Sequence, residues 1–147
     1  MKRFCILLLL LVSFTTQAET LKEIREVLKH IETNHDPTSL GDYIDGVPKS
    51  YGILQIQKAV IIDVNEKYGT NYTHRDAFKI NCAEEIFILY VTMWSKHLEL
   101  KENRTVTTED IVRIWNGGPN GYKRNSTMGY LAKFKKRWNK THSNKVS

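Results

Sequence analysis

The chain has 147 residues, 41% of them hydrophobic and 26% charged, with a net charge of +6. Such a length and balance fit one globular domain with its own core and exclude a chain disordered throughout. The charge is uneven: from Tyr122 onward there are eight Lys or Arg and no Asp or Glu, so this end either attracts an anionic surface or is a solvated helix face.

In chain order, "MKRF" carries Lys2 and Arg3, "CILLLLLVSF" is an apolar run, and "TTQA" ends on small residues at Ala18. A basic start, a short apolar stretch and small residues before a cut are the parts of a secretory leader. The expected product is a secreted or periplasmic protein, a single domain of residues 19–147 with a basic C-terminal helix and tail; an uncleaved N-terminal anchor is the alternative. Loss of residues 1–18 removes two positive charges and leaves +4. Cys5 leaves with the leader, so Cys82 is the one mature cysteine and no internal disulfide can form. Beside Ala83, at the start of an apolar run, it reads as a buried thiol. Export argues against nucleic acid as a partner.

"TLKEIREVLKHIE" places Leu21, Ile24, Leu28 and Ile31 at helical spacing, with Val27 beside them, which predicts an amphipathic helix ending at Glu32. "TNHDPTSLGDYIDGVPKS" is rich in turn residues and predicts a long irregular segment with a short hairpin; a connection this long in a small domain tends to carry function. A second helix follows in "QKAVIIDVNEKYG", closed by Gly69. "THRD" at 73–76 fits a short capped helix start. "NCAEEIFILYVTMWSKHLEL" is the longest apolar helical run after the leader and predicts a central buried helix, too modest in length for membrane insertion. "TTED" at 107–110 is a second capping box opening "IVRIW", "NGGPNGY" breaks the chain, and "STMGYLAKFKKRW" predicts a terminal helix. The fold class is mainly α.

Glu32 lies one turn beyond Leu28, on the same, otherwise apolar face. It is either a solvated helix end or a partly desolvated carboxyl. In the second case burial and the negative end of the helix both raise its pKa. A carboxyl kept protonated near neutrality can donate a proton to a glycosidic oxygen.

The residues that follow Glu32 bear on this choice. "GD" stands at 41–42, "SYGILQI" at 50–56, "IWNGGPNGY" at 114–122, and then Tyr130. In this order the motifs resemble the lysozyme-like superfamily of soluble lytic transglycosylases and goose-type lysozymes. There, a helix ends in the catalytic Glu, an S-x-G-(L/I)-(M/L)-Q-(I/V) segment follows, then an (Y/W)-N-(A/G)-G-P turn, and later a Tyr. The resemblance covers Leu21 to Trp138. It implies a lysozyme-like domain of short helices around a central buried helix, with a small irregular or β-hairpin segment near 40–56. It also implies a peptidoglycan glycan strand as substrate, cut at the MurNAc–GlcNAc β-1,4 bond, with Glu32 as the acid and Asp42 as a possible second acid.

For substrate binding the same resemblance implies Ser50 near the acid, Gly52 where sugar and backbone approach closely, Gln55 on the cleft floor, and Asn116 facing an N-acetyl or hydroxyl group. Tyr130 either brings its hydroxyl to the acid or packs as a core aromatic. Tyr51, Trp115 and Tyr122 are either sugar-stacking faces or core residues. Goose-type enzymes carry a further Asp directly after the Gln-Val pair; here Gln57 follows "LQI". The incomplete acid set tilts the reading toward a lytic transglycosylase, in which one Glu suffices and anhydromuramyl ends form. A hydrolytic goose-type-like lysozyme and a non-catalytic wall-binding module are the alternatives.

Other chemistries find no support. The five histidines and Cys82 do not fall at metal-ligand spacings, and neither a phosphate-cradling Gly loop nor a nucleophile elbow is present. The expectation is a monomeric enzyme without cofactor or metal, its basic C-terminus able to meet an anionic wall or membrane surface. Four sequons, at Asn71, Asn103, Asn125 and Asn139, matter only if the chain passes through a glycosylating secretory route.

Overall fold

A computed structural model describes residues 20–143. The leader, its cut near Ala18 and Cys5 lie outside the described residues. The described elements in order are helix α1 (residues 20–33), strands β1 (Leu40–Gly41), β2 (Ser50–Tyr51) and β3 (Ile56–Gln57), and helices α2 (Lys58–Tyr68), α3 (Ile80–Glu102), α4 (Thr108–Gly117) and α5 (Met128–Ser143). Single 3-10 turns at His74–Phe78, Gly121–Lys123 and Asn125–Thr127 join the later helices.

The core forms around α3, as the apolar run predicts. Ala83, Ile86, Phe87, Tyr90, Val91, Ser95 and Leu98 are buried along it, a helical three-and-four spacing that points one stripe inward. Ile24, Val27 and Leu28 of α1, Ile61 and Val64 of α2, Ile111, Val112 and Ile114 of α4, and Leu131 and Phe134 of α5 close on that stripe. Each fully buried aliphatic or aromatic side chain contributes about 1.5–3 kcal/mol. No helix among the described residues is long and apolar enough to cross a membrane. Cys82 is half-buried against the core instead of fully buried, because the inward stripe of α3 begins one residue later, at Ala83.

The ends of the helices follow local chemistry. α4 starts on a capping box in which Thr107 and Asp110 exchange side-chain and backbone hydrogen bonds, and Arg104 clamps Asp110 through both guanidinium nitrogens at 2.6 and 2.9 Å. "THRD" also forms a capping box, but it opens a 3-10 turn of five residues and not an α-helix. α5 begins at Met128, two residues later than the sequence pattern predicts, since Asn125–Thr127 are taken up in a 3-10 turn. An ionic patch that periodicity could not reveal ties α1 to α3: Lys29 and Arg25 both pair with Glu84.

The predicted hairpin is a three-stranded antiparallel sheet in the order β1-β2-β3, with Gly41 opposite Ser50 and Ser50 opposite Gln57. The two-residue strands put Asp42 just past the end of β1 and Gln57 at the end of β3, on the same rim. This sheet, the C-terminal end of α1, and the α4–α5 connection surround a cleft.

Candidate active site

The cleft has a volume of about 510 Å³. Glu32, Asp42, Gln55, Trp115, Asn116 and Tyr130 all line it. These six sequence candidates are separated by up to 98 residues and converge on one opening.

Glu32 is half-buried on the last turn of α1. Its carboxyl accepts a 2.5 Å hydrogen bond from the Tyr130 hydroxyl and another from Trp115. Burial is the largest influence on it and pushes the pKa up to about 7. The Tyr130 hydrogen bond opposes this, the charge of Asp42 reinforces it, and Trp115 and Lys133 oppose it. The outcome is a carboxyl that exchanges a proton near neutrality. Tyr130 is pushed well above the usual phenol value by its own burial and then by the adjacent Glu32 charge, so the phenol acts as a donor.

Trp115 is almost fully buried and packs edge-on against Phe87 and Tyr90, with ring centroids 5.0 and 5.9 Å away. Its role in the geometry is to brace the acid, with no open face for a sugar. Asn116 is the next residue, exposed on the last turn of α4. Gly117, Gly118 and Pro119 continue the cleft wall.

Within "SYGILQI", Ser50 and Gly52 have different places from those expected, and Tyr51 takes the core alternative. Ser50 is fully buried, and its hydroxyl donates to Gln55 Oε1 at 2.9 Å. It therefore orients an amide beneath the cleft and meets neither Glu32 nor the cleft space. Gly52 adopts φ +74, and a Cβ there would come within 1.9 Å of the Ala77 carbonyl oxygen. The missing side chain thus lets the sheet nest on the 3-10 turn at His74–Phe78, not on a sugar. Tyr51 stacks at 3.8 Å on His74 and at 5.0 Å on Phe78, so its faces are occupied by the protein's own rings. Tyr122, too, is buried and donates to Glu102.

Gln55 sits at φ +49, a left-handed conformation that turns its side chain back into the sheet. Its amide nitrogen donates to the Gly52 carbonyl at 3.0 Å, and its oxygen accepts from Ser50. A Cβ on Gly41 would collide with that oxygen at 2.0 Å, so a bare backbone in β1 makes room for the amide. Asp42 is exposed on the rim and accepts a hydrogen bond from Gln57 Nε2 at 3.2 Å. The residue standing where a further acid was expected therefore holds Asp42.

Sequence reasoning missed Asp63, Tyr90, Arg124 and Lys133, all of which line the cleft. Tyr90 is pushed up to about 12, first by burial and then by the charge of Asp63. Helical spacing carried a usable signal for Lys133: it is three residues beyond Tyr130 on α5, hence on the same face.

No family model and no curated protein matches the chain. Among solved structures, a chain of the complex between Aeromonas hydrophila PliI and Meretrix lusoria lysozyme is similar, with 24% identity and a TM-score of 0.63. The match covers 78% of this chain and 87% of that one. Tapes japonica lysozyme is similar at 23% identity with a TM-score of 0.61, over 76% of this chain and 85% of its own. At these identities the likeness speaks for architecture: the chain has a lysozyme-like, mainly helical fold.

Proposed function

We propose that the chain cleaves the β-1,4 bond between MurNAc and GlcNAc in peptidoglycan, with Glu32 as general acid. The observation that carries this reading is a carboxyl with a pKa near 7, held by Tyr130 and Trp115 in an open cleft. Below about pH 7, Glu32 keeps the proton it passes to the leaving sugar's oxygen as the C–O bond breaks. General acid catalysis of this kind contributes about 10²–10⁴-fold. Asn116 and Gln55, one a free carboxamide and one a fixed floor, are placed to take N-acetyl and hydroxyl groups.

Against the lytic transglycosylase expected from the sequence, hydrolysis is the outcome this proposal favours. Glycosidases that hydrolyse use two carboxylates on either side of the bond, and Asp42 stands on the same cleft with its charge felt at Glu32. In this scheme Asp42 supports the developing positive charge at the anomeric carbon. Water adds there, and its proton is taken up by the carboxylate pair. One observation favours the lytic transglycosylase instead: Gln57 stands where goose-type enzymes carry a further Asp, and a single-acid mechanism requires only Glu32, whose pKa burial pushes up to about 7. In that reaction the muramyl hydroxymethyl closes an anhydro ring and no water enters.

Purified murein separates the readings. Clearing of a murein suspension by the native chain, and none by Glu32→Gln, supports catalysis over a non-catalytic binding module. Mass analysis of the released fragments then decides the chemistry, since an anhydro end is lighter than a reducing end by one water. Glu32→Gln that clears murein at the native rate removes Glu32 from the mechanism. In the same proposal residues 1–18 export the chain to the periplasm or the exterior, where residues 19–147 act as a single domain that meets this substrate.

A further inference from the structure

Several cations among the described residues serve as struts. Arg25 and Lys29 pair with Glu84, Arg104 with Asp110, Lys79 with Asp76 and Lys135 with Glu109. Arg113 is fixed by Thr127 Oγ1 at 2.9 Å and the Arg124 carbonyl at 3.0 Å. Lys133 and Arg124 are the two cations among the described residues that line the cleft. Both are exposed, and neither forms an ion pair among the described residues. Arg124 is aimed rather than loose: Nη1 donates to the Gly117 carbonyl at 3.1 Å, which ties the guanidinium to the Gly-Gly-Pro wall. Its other N–H groups make no hydrogen bond among the described residues, and Lys133 stands one turn beyond Tyr130 on the neighbouring helix.

The acidic residues of the cleft come from other elements. Asp42 lies on the sheet rim and Asp63 on α2, with Glu32 at the end of α1. The cleft is therefore polarised, with cations contributed by α5 and the turn before it, and acids by α1, the sheet and α2. A neutral glycan gains nothing from two unpaired cations, whereas a carboxylate on the sugar would pair with them, and a guanidinium offers it two parallel donors.

We propose that Lys133 and Arg124 determine specificity by binding the lactyl carboxylate of a muramyl residue that carries no stem peptide, so that the cleft prefers an anionic strand to a neutral one. This rests on the glycan-cleaving reading above and adds to it which wall of the cleft reads the substrate's charge.

The experiment uses the Glu32→Gln chain, so that ligands survive, and calorimetry at low salt. The probes are a GlcNAc–MurNAc tetrasaccharide with free lactyl carboxylates and the same oligosaccharide with those groups converted to carboxamides. The expected result is roughly tenfold tighter binding of the carboxylate form, in line with a charge-assisted pair of about 1–2 kcal/mol. The preference disappears with Lys133→Met and reverses with Lys133→Glu. Both substitutions fall on an exposed position, and an unchanged melting temperature verifies the fold. Equal affinity for the two probes in the Lys133-containing chain overturns this inference alone. Binding of neither probe overturns it together with the proposed glycan substrate.

Discussion

Tyr130 on the last helix donates its phenolic hydrogen to Glu32 on the first, across 98 residues of sequence and 2.5 Å of space. The bond counteracts burial: without it, the carboxyl would hold its proton to still higher pH. Trp115 adds a second donor from α4, so three helices fix the protonation of one group.

Glu32→Gln should abolish glycan cleavage and change stability in a pH-dependent way. Burial raises the folded pKa to about 7 from 4.5. Between those values the folded chain holds a proton that the unfolded chain has released, so the native protein loses stability as pH rises through that window and levels off above it. The neutral Gln escapes this loss. The variant should equal the native chain near pH 4 and exceed it at pH 8 by at most about 3 kcal/mol. Urea melts at the two pH values check this; a gain of equal size at both would mean that the ionisation of Glu32 is not its cause.

Activity of the native chain should fall as pH rises through about 7, since the acid must be protonated. In Tyr130→Phe the donor that holds the carboxyl down is gone, so this alkaline limb should move to higher pH. A pH–rate profile of kcat/KM provides the readout. A limb that stays in place while the rate drops would assign Tyr130 to substrate contact alone.

Ser50→Ala tests whether that hydroxyl acts directly. Among the described residues the hydroxyl hydrogen-bonds to Gln55 alone, so removal should cost about 1–2 kcal/mol of stability and reduce the cleavage rate by less than about tenfold. A loss beyond a hundredfold in a folded variant would place Ser50 in contact with the reacting groups.

Gly52→Ala and Gly46→Ala separate packing from backbone strain. Both glycines have positive φ, +74 and +76, but a Cβ at Gly46 meets open space while one at Gly52 meets the Ala77 carbonyl. Gly46→Ala should cost about 1 kcal/mol, and Gly52→Ala more than about 3 kcal/mol as the sheet lifts off its turn. Chemical denaturation of the two variants compares them; equal costs would rule out the close approach at Ala77.

The helices were legible because their signals are local. The 3-4 stripe of α3, the Thr107–Asp110 box and the stop at Gly69 are each written within one element. Helical spacing put Glu32 on the face of Leu28 but left it either solvated or partly desolvated, and the order of the motifs singled it out. The residues misjudged or missed are those whose partners come from distant segments. Nothing in "SYGILQI" announces that His74 and Phe78 will cover Tyr51, or that Ala77 will press on Gly52. Asp63 and Arg124 enter the cleft through the packing of α2 and the turn before α5, which periodicity leaves undetermined. Family resemblance supplied the order of the motifs, and only the packed chain separates the residues that touch the cleft from those that hold it in shape.

Because the acid belongs to the first described helix and its phenol partner to the last, the site does not exist until the whole domain has closed. A nascent chain that has emerged only as far as α4 carries Glu32 and Trp115 but lacks the tyrosine and lysine beside them. A cut before Tyr130 would likewise remove the phenol that donates to the carboxyl. Assembly of the site thus waits on α5, a delay built into the order of the elements.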